Sequence, residues 1–236
     1  MNITHLGFTG LAIRDGTARL LLDPPAAPDA PTVVTWTETE RVSGVRAGPP
    51  PALAAAPVVL KWLGVEGVAL GAAPVRFGGW VITAAPYDPI PYATPREAMR
   101  KTASALRDPR LAVERLGHLF RRPATPPLAL SITRAGRVVV VLGQALHRFT
   151  PAGELDRLVR MFGGCDVLVV GTDFDDEEAT GRLSGVFGAR TVVVADLTGP
   201  VRRMLRLPTR PLETVLASAP PGTKLLCEGG GLELGD

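Results

Sequence analysis

Short apolar runs punctuate the first part of the chain: Ile3 to Phe8, Gly10 to Ile13 and Ala18 to Leu22, the last two separated by Asp15-Gly16. Runs of this length bounded by glycine and aspartate predict strands, and Asp-Gly between two of them predicts a hairpin. The third run stops at Asp23-Pro24, and a proline-rich loop to Pro31 leads to a buried strand expected over Thr32 to Val34. Pro57 to Leu60, Val68 to Leu70, Val75 to Phe77 and Trp80 to Ala84, divided by glycines, predict a meander of short strands. Leu128 to Thr133 and Arg137 to Leu142 flank Arg134-Ala-Gly and predict another hairpin.

Helical spacing appears between the later strands. Thr150-Pro151 caps a segment with Leu155, Leu158, Val159 and Phe162 on one face, stopped by Gly163-Gly164. Asp175, Asp176, Glu177 and Glu178 precede Ala179, Leu183, Val186 and Phe187; acids in a first turn complement the helix dipole, so they mark a helix start rather than a cation site. Strands are expected at Asp166 to Val170 and Arg190 to Ala195, and Lys224 to Leu234 reads as a closing Gly-containing strand pair. Between the two hairpins, residues 94–122 form a basic insertion with eight bases and three acids. Thr94-Pro95-Arg96-Glu97 is a capping box, and the apolar faces on either side of Asp108-Pro109 predict a helical hairpin.

Chemistry is expected where buried strands end. The stretch Val33 to Gly44 reads Val-Val-Thr-Trp-Thr-Glu-Thr-Glu-Arg-Val-Ser-Gly, an apolar strand giving way to a polar cluster. It resembles the first metal loop of the metallo-β-lactamase fold superfamily, Thr-His-x-His-x-Asp-His, with Thr35 at the leading threonine and Trp36, Glu38, Glu40 and Arg41 where the four ligands would stand. An indole carries no free lone pair and a guanidinium is a permanent cation, so two of these positions are closed to a metal. The opening strands and Leu-Leu-Asp-Pro resemble the ascorbate-phosphate lactonase branch in particular. In the same frame Tyr87 and Asp88 stand near the next histidine, Gln144 replaces the bridging aspartate, and Asp196 replaces the last histidine. After Gly44, Gly48-Pro-Pro-Pro interrupts the helix that customarily supports the loop.

The resemblance implies one domain over residues 1–236, a four-layer αββα sandwich of two mixed β-sheets, with the insertion lying over the site. Composition agrees: 236 residues with 46% hydrophobic content can bury a large core, and the net charge of +3 is modest. Cys165 and Cys227 lie far apart without a partner pattern and read as core residues of a reducing, cytoplasmic compartment. Neither a leader nor a membrane span of roughly 20 apolar residues is expected. His5 is expected to satisfy a strand end and His118 lies among arginines; His147, three residues past Gln144, is the nearest stray histidine to the site.

Three functions follow from these residues. The leading one is a protein that has lost zinc binding and hydrolase activity and keeps a pocket or surface for a small molecule or protein. There Trp36 fills the pocket and Arg41 pairs with Glu38, Glu40 or Asp196, so that the acids do not repel one another without a metal. A second is a hydrolase of phosphoesters or lactones in which Glu38, Glu40, Asp88 and Asp196 hold a hard cation, Mg or Mn. A third is a module for nucleic acid or another anionic partner at Arg96, Arg100, Lys101 and Arg107; without interleaved aromatic residues for stacking, a solvated helix face explains the same arginines better.

Overall fold

The computed structural model describes residues 1–7, 10–23, 32–33, 59–60, 74–86, 128–142, 152–171, 184–196, 212–217 and 219–234. Asn2–Gly7 (β1), Gly10–Asp15 (β2) and Ala18–Leu22 (β3) form an antiparallel ribbon, with Gly16 at φ +59° in the Asp15-Gly16 turn. Thr32–Val33 (β4) and Val59–Leu60 (β5) then add in parallel beside β3. Val75–Phe77 (β6), Trp80–Pro86 (β7), Leu128–Arg134 (β8) and Arg137–Leu142 (β9) run antiparallel in a second sheet. Val167–Gly171 (β10), Thr191–Ala195 (β11) and Lys224–Leu226 (β12) extend it in parallel beside β9. Gly231–Glu233 (β13) returns to the first sheet, antiparallel to β1. The orders are β13-β1-β2-β3-β4-β5 and β12-β11-β10-β9-β8-β7-β6.

Both sheets are therefore mixed, and they stack face to face. Ile3, Leu11, Ile13, Leu20 and Leu22 of the first pack against Trp80, Ile82, Leu130, Ile132, Val139, Val141, Val169 and Val193 of the second. The alternate residues of the second sheet, among them Val140, Leu142, Leu168, Val170 and Val194, face outward. The helix Ala152–Phe162 (α1) covers that face with Leu155 and Leu158, which the 3.6-residue period places on one side. Its end is built as the sequence suggests: the Gly163 N–H donates to the Val159 carbonyl at 2.8 Å, with Gly163 at φ +76°. Phe187, at the end of a helical turn over residues 184–187, completes this outer layer.

Three expectations change, and one helix is added. Val59–Leu60 does not belong to a meander with β6 and β7; it lies in the other sheet, parallel to β4, a pairing that only a long crossover can supply. The closing strands do not pair with each other: β12 joins β11 and β13 joins β1. Of the two cysteines only Cys165 is buried, and Cys227 is exposed. Leu212–Ala217 (α2) is a short helix with no counterpart among the expected elements. The insertion at 94–122, the start of the acidic helix, the triple-proline segment and the expected strand over Val68 to Leu70 lie outside the described residues. Among the described residues no helix is long and apolar enough to cross a membrane.

Candidate functional site

Strand direction fixes where the sequence-predicted residues leave the sheets. In the second sheet β7, β9, β10, β11 and β12 all run the same way, and the registers Pro86↔Leu128, Gly171↔Ala195 and Ala195↔Leu226 set their last residues level along one edge. Tyr87, Gln144, Thr172 and Asp196 follow those ends directly or within two residues in sequence. In the first sheet the registers His5↔Leu11, Leu11↔Leu22, Leu22↔Val33 and Val33↔Leu60 make one row across β1 to β5. Thr35 to Arg41 follow the end of β4.

The two edges are one rim, and a turn ties them together. The Asp196 N–H donates to the Leu226 carbonyl at 3.2 Å, carrying the β11–β12 ladder one step past the strand. The chain then turns at Cys227 to Gly230, where the Gly230 N–H donates to the Cys227 carbonyl at 2.9 Å and Gly229 adopts φ +75°. It arrives on β1: the His5 N–H donates to the Gly230 carbonyl at 3.0 Å and the Gly229 N–H donates to the His5 carbonyl at 2.9 Å. Three consecutive glycines suit this crossing, since a side chain on Gly230 would come within 3.0 Å of the Cys227 carbonyl.

Of the sequence-predicted site residues, the structure places Asp196, 7% exposed, at the rim. Trp36, Glu38, Glu40, Arg41, Tyr87, Asp88 and Gln144 lie outside the described residues. Two carboxylates at the rim escaped the sequence reading. Asp23, 4% exposed, follows β3 with φ +42°, a backbone conformation that aspartate tolerates better than most residues. Its signal was present in Leu-Leu-Asp-Pro, read as a strand end rather than as a site. Glu228 sits in the crossing turn with its carboxylate over Gly7, so close that a Cβ on Gly7 would lie 2.7 Å from Oε1. Nothing in Cys-Glu-Gly-Gly-Gly reveals that approach, because it depends on β13 joining the other sheet. His5, fully buried, lies one row below the rim, with its backbone held by the turn.

A zinc pair makes a definite demand on the donors at such a rim. Such a centre takes imidazole, thiolate and carboxylate donors in convergent geometry. By the sequence resemblance alone, the matching positions carry Trp36, Arg41, Gln144 and Tyr87 beside the carboxylates Glu38, Glu40, Asp88 and Asp196. Among the described residues no group of three or more His, Cys, Asp or Glu side chains converges as a metal site.

The chain's architecture is similar over its full length to an isothiocyanate hydrolase from Delia radicum gut bacteria, with 12% identity, complete coverage of both chains and a TM-score of 0.54. It is also similar to the metallo-β-lactamase fold protein YhfI from Bacillus subtilis, at 11% identity over 98% of this chain and 99% of that one, TM-score 0.50. The chain has the metallo-β-lactamase fold. The diiron β-hydroxylase CmlA from Streptomyces venezuelae shares this fold at 11% identity and a TM-score of 0.51, over 99% of this chain and 54% of that one. No family model and no curated protein sequence matches the chain. A hydrolase and a hydroxylase on one metallo-β-lactamase scaffold show that the fold sets where chemistry happens and leaves open which chemistry it is.

Proposed function

We propose that this metallo-β-lactamase fold protein has lost the zinc centre and hydrolase activity of that fold, and uses the rim as a pocket or contact surface for a small molecule or protein. One observation supports the reading: Asp196, which follows β11 at the rim, is a buried carboxylate, whereas the sequence carries Trp36, Arg41 and Gln144 where the family resemblance would put metal ligands. A buried carboxylate requires a positive partner or donors. Arg41 is assigned that part, with Glu38 and Glu40 as its neighbours in sequence, and Trp36 closes the pocket. Tyr87 and Asp88, next in sequence after β7, are assigned to the same pocket. The bases Arg96, Arg100, Lys101 and Arg107 are assigned to a solvated face of the insertion.

A double-mutant cycle tests the assignment. Arg41→Ala and Asp196→Asn, alone and together, are compared by urea unfolding. Loss of Arg41 alone strands a buried charge and is expected to cost about 3 kcal/mol. In the Asp196→Asn background the same change is expected to cost at least about 1 kcal/mol less, the size of coupling that residues in contact show. Additivity within about 0.5 kcal/mol would remove Arg41 from the role.

The buried Asp196 also favours a second reading, in which Glu38, Glu40, Asp88 and Asp196 hold Mg or Mn for hydrolysis of a phosphoester or lactone. That reading expects an activity dependent on the added cation and abolished by Asp196→Asn.

A further inference from the structure

We draw no further inference here: the strongest candidate, the rim where the two sheets meet, with the buried Asp23 and Asp196 and the exposed Cys227, belongs to the site already described, and no second observation points to what it would hold.

Discussion

Burial divides the two thiols of this chain. Cys165 lies beneath α1, and desolvation, reinforced by the neighbouring Asp166 carboxylate, pushes its pKa up to about 12 against a weaker opposing hydrogen bond to the Val140 backbone. At pH 8 about one molecule in ten thousand would carry the thiolate, the reactive form. Cys227 is exposed on the crossing turn. A disulfide-exchange reagent such as DTNB is therefore expected to titrate one thiol per native chain and two after denaturation, with the native reaction abolished by Cys227→Ser. Two fast thiols in the native protein would contradict the packing under α1. Gly7 is the second residue whose identity is dictated by its surroundings. Its φ of +98° disfavours any side chain, and Glu228 Oε1 occupies the space that a Cβ would need. Gly7→Ala is expected to lower stability by about 1 kcal/mol through backbone strain. The Glu228 carboxylate is the end of a flexible side chain and can swing aside, so Glu228→Ala in the same background should recover little of the loss, as read from denaturant midpoints. A Gly7→Ala protein as stable as the parent would contradict the left-handed backbone at Gly7.

Elements at the opposite end of the sandwich show how the two sheets are held in register. Arg134, at the turn between β8 and β9, pairs with Asp15 of the β2–β3 turn at 3.2 Å, donates to the Gly78 carbonyl and lies 4.8 Å from the Trp80 ring centroid. One side chain thus links a turn of each sheet. The ion pair is partly exposed, and such pairs contribute less than about 1 kcal/mol, so Asp15→Ala is expected to be mild. Arg134→Ala also removes the ring contact and the carbonyl bond and is expected to cost about 2 kcal/mol. Thermal unfolding of the two variants checks the order; an Asp15→Ala protein as unstable as Arg134→Ala would place the whole effect in the ion pair.

The individual strands of this sandwich were legible because β1, β3, β9, β10 and β11 end abruptly at glycine, aspartate or proline, and the α1 spacing and its glycine stop were equally plain. Sheet membership was not legible. Val59–Leu60 and Gly231–Glu233 are short runs next to glycine or proline, whose local pattern suits either sheet. Only the crossovers decide, by pairing them with β4 and β1. The same blindness hid Glu228. Its proximity to Gly7 exists only once β13 has crossed over, whereas Asp196 could be found because it follows an unmistakable run of valines.

For the molecule as a whole, two mixed sheets direct the ends of their parallel strands to a common rim, and the crossing at Cys227 to Gly230 fastens the rim by backbone hydrogen bonds at both sides. That arrangement sets the strand ends at the rim whatever side chains follow them, so the fold leaves open which chemistry the rim carries. Metal stoichiometry tests the proposed loss of the zinc centre directly. Protein purified without chelator, then equilibrated with zinc, manganese or magnesium and freed of excess ion, is analysed by plasma mass spectrometry. The account predicts well under one equivalent of any of the three per chain, unchanged in Asp196→Ala. One or two equivalents retained by the parent and lost on Asp196→Ala would contradict it and restore a metal-dependent hydrolase.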